Sequence, residues 1–274
     1  ESMEEAIKLN NMAVDMNLSA FRWGRMAAHD QQYVEKEAAP FMPNTEVNND
    51  EYLLTEIIKD RTSFLSSYQN KKYANIYVNF VKKTIEAEKK LGNSNDDLSK
   101  AVAKYLSKLM AYKDEYEVAR LYTNGEFKEK LNNAFEGNLK LKFHVAPPLF
   151  APKDPHTGKL KKITIGSWIL PVFKGLSKLK FLRGTIIDPV GKTKERKMER
   201  FLISQYKEDM NKILKEVNSK NLPLAVQIAS IPEMIRGYGH VKEEHMKKAA
   251  LKREQLLESW NSKEYDSIAS VAAE

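Results

Sequence analysis

LMAYKDEYEVARLY, Leu109 to Tyr122, is the stretch on which the reading of this chain turns. It holds no Gly or Pro and is rich in good helix formers, so it reads as one uninterrupted helix. Its middle carries Lys113, Asp114, Glu115, Glu117 and Arg120. With Val102 at zero and about 100° per residue, the apolar arc takes in Tyr105, Leu106, Leu109, Met110, Tyr112, Tyr116, Ala119 and Leu121. On that spacing Arg120 falls near ~0°, Lys113 near ~20° and Glu117 near ~60°, all inside the arc. Asp114 and Glu115 fall outside it. Lys113, Glu117 and Arg120 are spaced for i,i+4 and i,i+3 pairing. A buried Lys–Glu–Arg set under Tyr112 and Tyr116 is net positive and wants a further carboxylate or an anionic ligand. Such a set is either an ion network that fixes helix packing or an anion or docking site.

Outward from this stretch the pattern is mainly helical. LGNSNDD stops the preceding helix, and Asp96 or Asp97 is the expected cap for the next. Residues 2–29 read as one helix, AAPFMPNTEVNND breaks the pattern, and helix resumes from about Glu51 to Lys90 with one interruption. From Asn138 the character changes. LKLKFHV alternates like a strand, and the proline-rich run with a DPHTGK turn fits a short β-hairpin or irregular arm around residues 138–165. SWILPVFKGLSKLKFLRG reads as a helix kinked near Pro171, and IIDPVG as a connector. Helices return from Lys192, where Met198 to Val217 show a 3.6-residue apolar period, and Pro223 opens a short helix. The expected parts are 1–137, 138–191 and 192–274, with SIASVAAE as a fraying tail.

A second dense spot is RGYGHVKE. Gly237 and Gly239 allow close backbone approach, while Arg236, Tyr238, His240 and Lys242 gather at the start of the last helix, where backbone N–H groups attract anions. It reads as an anion or docking site, or simply as a cap and turn. The run lacks the third Gly of a dinucleotide fingerprint. His240 and His245 are badly spaced for a shared metal, and His29, His144 and His156 are isolated. No nucleophile triad, P-loop or HExxH is present, so neither a catalytic residue nor a metal site is assigned.

Composition narrows the classes. There is no cysteine, which excludes disulfides, thiolate metal sites and clusters held by this chain's own thiolates. That absence and the acidic N-terminus favour a cytoplasmic location, and no apolar run is long enough to cross a membrane. The net charge of +8 is uneven: residues 151–200 carry 13 Lys/Arg against 4 Asp/Glu, whereas residues 1–50 carry 4 against 9. The basic run with Trp168, Lys174, Lys178 and Lys180 is a candidate docking segment. Nucleic acid is disfavoured, since no fold signature for it is present.

AFRWGRMAAHD (20–30), KLMAYKDEYEVARLY (108–122), LKFHVAPPL (141–149), KMERFLISQY (197–206) and IRGYGHVKE (235–243) resemble the C-terminal region of bacterial indolepyruvate ferredoxin oxidoreductases. These are the large fused form of the 2-oxoacid:ferredoxin oxidoreductase family. The opening 25 residues resemble the seam after that family's gamma-type domain. The resemblance implies an enzyme that converts indolepyruvate and coenzyme A to indoleacetyl-CoA and carbon dioxide, reducing ferredoxin, with thiamine diphosphate and iron–sulfur clusters as cofactors. The thiamine GDG motif and the cysteine clusters do not occur in this chain, so those cofactors are expected elsewhere in the parent and none here. The expected role is a docking, assembly or substrate-entrance region, inactive alone, whose partners are the remaining domains and possible contacts with ferredoxin or coenzyme A. Two other classes stay open: a stand-alone basic helical binding module, and a small acid/base enzyme using Glu117 and Lys113.

Overall fold

The computed structural model describes residues 2–10, 13–38, 53–92, 95–137, 139–145 and 163–263. It is mainly α, with twelve α-helices and one two-stranded antiparallel sheet among the described residues. The proline-rich run, the AAPFMPNTEVNND break and the tail lie outside the described residues. The chain divides into two compact units, residues 1–51 and 52–274, so the boundaries expected at 137 and 191 both fall within the second unit.

The first unit holds α1 (Ser2–Leu9), α2 (Val14–His29) and α3 (Gln31–Ala38). The single helix expected over 2–29 is therefore two helices, and Ala13 stands before α2 in the left-handed region with φ 43°. Asn10, a residue type that competes with a helix for backbone hydrogen bonds, follows α1 directly. Glu4 of α1 takes Arg22 of α2 at 3.4 Å. Asp30 ends α2 and caps α3 by accepting the Tyr33 N–H.

The second unit is built around α6 (Asp97–Met110), which buries Leu98, Val102, Leu106 and Met110. It packs on the hairpin of α4 (Leu54–Tyr68) and α5 (Lys71–Lys89), and on α10 (Lys194–Glu216) and α11 (Leu222–Ser230). The interruption between α4 and α5 is the turn at Gln69 and Asn70, where the Asn70 side chain caps α5 through the Tyr73 N–H. The expected cap of α6 is corrected. Asp96 sits at the N-cap position with φ 54° and makes no side-chain cap. Glu88 of α5, fully buried, does the work from outside: it accepts from the N–H groups of Leu98 at 2.9 Å and Ser99 at 2.8 Å. A carboxylate there meets both the free N–H groups and the positive helix end.

Three tyrosines tie the hairpin to α6. The hydroxyls of Tyr68, Tyr73 and Tyr77 donate to the carbonyls of Tyr112, Met110 and Ala103. Beyond α6 come α7 (Glu115–Thr123) and α8 (Glu126–Ala134), then the hairpin of β1 (Lys142–Val145) and β2 (Ile163–Gly166), with Phe143 opposite Ile165. Pro171 begins α9 (Leu170–Lys178) rather than kinking a longer helix, as its fixed φ and missing N–H suit a first turn. Phe173 of α9 joins Tyr122, Phe127 and Phe143 in an aromatic cluster, which seats α9 against α7 and β1. A 3-10 turn from Ile231 to Met234 leads from α11 towards α12 (Gly239–Ser262).

Two outcomes follow. Glu88→Ala, which strands two buried N–H groups, is expected to lower unfolding stability by about 3 kcal/mol in urea titrations, while Asp96→Asn, which suits the same positive φ, leaves it near wild type. Burial also pushes the Tyr68, Tyr73 and Tyr77 hydroxyls well above the usual tyrosine range. The folded state thus holds protons that the unfolded chain releases near pH ~10. Their contribution is full below that pH and is lost as pH rises through the folded values. The last tyrosinate absorbance and the loss of helical signal should rise together above pH ~10; ionisation of Tyr68, Tyr73 or Tyr77 while the helices persist would contradict the packing.

Candidate functional site

The opening stretch is not one helix. α6 ends at Met110, residues Ala111 to Asp114 turn the chain, and α7 begins at Glu115. No Gly or Pro marks the break, because distant side chains make it. Tyr73 caps the Met110 carbonyl at 2.9 Å, Tyr68 caps that of Tyr112 at 2.8 Å, and Asp114 accepts the Glu117 N–H at 2.9 Å. The wheel drawn through the stretch therefore fails at its centre. Lys113, expected inward, is exposed, and Asp114, expected outward, is 2% exposed. Within α7 the geometry is ordinary, so Glu117 is buried and Arg120 grips both its oxygens at 2.8 Å.

Asp114 meets a cation that the sequence reading passed over. Arg183 donates to Asp114 Oδ2 at 2.5 Å and Oδ1 at 2.8 Å, and to the Tyr68 carbonyl at 2.7 Å. Its guanidinium lies 3.7 Å from the centre of the Tyr68 ring. Burial is the largest single influence and works against this charge, but the Asp114 hydrogen bonds together with the charges of Tyr68, Asp114 and Tyr112 hold Arg183 above its ordinary value. Tyr116 donates to Asp188 Oδ1 at 3.0 Å, and Asp188 gathers the N–H groups of Gly184, Val190 and Gly191. The connector is thus a built turn. A Cβ on Gly191 would lie 2.1 Å from Asp188 Oδ2, so only glycine fits. The Asp-Pro-Val-Gly sequence is a turn signal that could have singled out Asp188; nothing local could have singled out Arg183. With its donors and acceptors matched, this network serves to lock α4, α7 and the 183–191 turn together.

A second arrangement is open to solvent. A cleft of about 260 Å³ lies between the end of α6, α10 and the entry to α12. Lys108, Lys113, Arg236 and Lys242 line it, with Glu199 the one carboxylate among them. Lys108 is held by the carbonyls of Pro232 at 2.8 Å and Glu233 at 3.1 Å. Arg236 donates to the Glu233 carbonyl at 3.1 Å and its carboxylate at 3.3 Å. Lys242 pairs with Glu199, whose other oxygen takes Arg196 at 2.7 Å. Gly237, with φ +87°, leads into α12, and a Cβ there would come within 2.9 Å of Val241. Partial burial, then the Arg236 charge, hold the Lys108 ammonium below its usual range.

The cleft unites halves of two expected sites: Tyr112 and Lys113 from one, Arg236, Tyr238 and Lys242 from the other. Tyr116, Glu117 and Arg120 stay outside it, so Glu117 and Lys113 do not share a pocket. His240 falls in the first turn of α12, and its side chain lies outside what is described. The basic segment is separate. Trp168, Lys174 and Lys178 are exposed on and beside α9, whereas Lys180 turns inward to the Ser67 carbonyl. Among the described residues no group of three His, Cys, Asp or Glu could hold a metal ion. Nor is any described helix long and apolar enough to cross a membrane.

Removing the Asp114 charge strands a buried guanidinium. Asp114→Asn is expected to destabilise the fold by about 3–5 kcal/mol, while Lys113→Ala leaves the melting temperature unchanged. Differential scanning calorimetry of the two variants checks this. Equal effects would mean that the two side chains share one environment.

Comparison with curated proteins and with solved structures gave no match. A family model described as a family of unknown function, DUF6537, matches residues 54–255, which begins at the first residue of α4 and takes in both the buried network and the cleft. By that match over most of its length, the chain belongs to the DUF6537 family.

Proposed function

We propose that this chain is the C-terminal, mainly helical region of an indolepyruvate ferredoxin oxidoreductase-like enzyme, and that its cationic cleft borders the entrance for an anionic substrate such as coenzyme A. One observation carries the reading. Three of the stretches that resemble that family are remote in sequence yet meet at the cleft: 108–122 brings Lys108, Tyr112 and Lys113, 197–206 brings Glu199 and Leu202, and 235–243 brings Ile235 to Tyr238 and Lys242. In this reading thiamine diphosphate and the iron–sulfur clusters belong to other parts of the enzyme, where the thiamine ylid supports decarboxylation. This region contributes a rigid helical body and a positive surface. The exposed Trp168, Lys174 and Lys178 offer an acidic ferredoxin a second contact, through electrostatic steering.

The native protein that carries this chain, isolated anaerobically from its cell, tests the reading. It is expected to reduce ferredoxin when supplied with indolepyruvate and coenzyme A together, and to do so with neither alone. A purified native protein that oxidises no 2-oxo acid would overturn the assignment.

A further inference from the structure

We infer that the cleft between α6, α10 and the entry to α12 binds a diphosphate group, either free or as part of a larger ester. The inference deepens the reading above and rests on it only for placing the cleft within a larger enzyme.

The charge at the cleft is unbalanced by design of the scaffold. Four cations line it against Glu199, and the Glu233 carboxylate pairs with Arg236 at its edge, which leaves an excess of two positive charges. Each of three cations is fixed by a protein acceptor: Lys108 by two carbonyls, Arg236 by Glu233, and Lys242 by Glu199. Lys108 and Lys242, held in this way, cannot swing far apart to relieve their repulsion, and Lys108 feels the charges of Arg236, Lys104 and Lys242, partly offset by Glu233. An anion in their midst removes that repulsion without having to organise its own ligands.

Charge and size together select the anion. A carboxylate carries a single negative charge and leaves a cation over, whereas a phosphoryl group carries about −1.5 to −2. The cleft of about 260 Å³ has room for two linked phosphoryl groups, one towards Lys108 of α6 and one towards Lys242 of α12. Leu109, Leu202 and Ile235 supply apolar wall, which lowers the local dielectric and strengthens each ion pair. The start of α12 adds to this. Its first turn has no acidic residue and Tyr238 provides no side-chain cap, while Gly237 and Tyr238 both line the cleft. The free N–H groups of that turn favour an oxyanion. Tyr238, 65% exposed at the rim, offers an aromatic face to the rest of an esterified ligand.

Calorimetric titration of the 274-residue chain with inorganic pyrophosphate tests this, at low and at moderate ionic strength. Saturation at one site is expected. The exposed pair Lys113→Ala with Arg236→Ala should weaken it about tenfold or more, since each removes a charge-assisted contact. The pair Lys174→Ala with Lys178→Ala, on α9, should leave it unchanged. Absence of saturable binding overturns the inference, and so does an equal loss in the two pairs, which would mean general attraction to a basic protein. Titration with ADP separates the sources. Tighter binding than pyrophosphate, with the gain abolished by Tyr238→Ala, identifies an ester; equal or weaker binding identifies the free diphosphate. Pyrophosphate binding in a chain whose native protein oxidises no 2-oxo acid would remove the parent-enzyme reading and leave this site standing.

Discussion

The ion pair of Asp114 and Arg183 is the constraint from which the rest of the second unit takes its form. Both side chains are 2% exposed, and neither could be left there alone. Asp114 is also the N-cap of α7, so the pair sets where α6 stops and α7 starts. Arg183 is also bound to the Tyr68 carbonyl and stacked on its ring, so the same pair fixes the end of α4. The turn beyond Arg183 then carries Asp188 to the Tyr116 hydroxyl, which secures α7 by a second contact. One pair thereby joins segments that are otherwise separated by the hairpin and α9.

The bend at Ala111–Asp114 has two faces with different duties. Its buried face belongs to the ion pair. Its exposed face presents Lys113 to the cleft, beside Lys108 at the end of α6. Had α6 run straight into α7, the apolar arc would have carried Lys113 under its tyrosines, away from Arg236 and Lys242. The bend is therefore what allows the positive residues of two distant segments to share a space. Stability and recognition meet at these four residues without using the same side chains.

Much of this was legible in the chain beforehand. The 3.6-residue period of Met198 to Val217 marked α10, the interrupted helical run from Glu51 to Lys90 marked α4 and α5, Pro223 marked a helix start, and the alternation of LKLKFHV marked β1. The clusters around Tyr112 and Arg236 were visible as unusual densities of charge. What could not be read were effects imposed from far away. Glu88 caps α6 from the preceding helix, and the hydroxyls of Tyr68 and Tyr73 end it. A propensity scale cannot report these, because they outweigh local preference only after the helices have packed. Arg183 looked like one more lysine-rich surface residue, since its partner is 69 residues away. The misplacement of Lys113 and Asp114 followed directly, as both stand in the turn itself, where helical spacing does not hold.

That separation bears on how the chain reaches its structure. Within residues 97–123 the local contribution to the bend is the Asp114 cap, while Tyr68, Tyr73 and Arg183 come from outside, and local helix growth takes far less time than closing a loop of such length. The long-range contacts that hold the bend therefore close after the helices they join, and the order of assembly differs from the order in which the elements stand in the chain. A cleft that depends on the bend exists only once the whole second unit has closed.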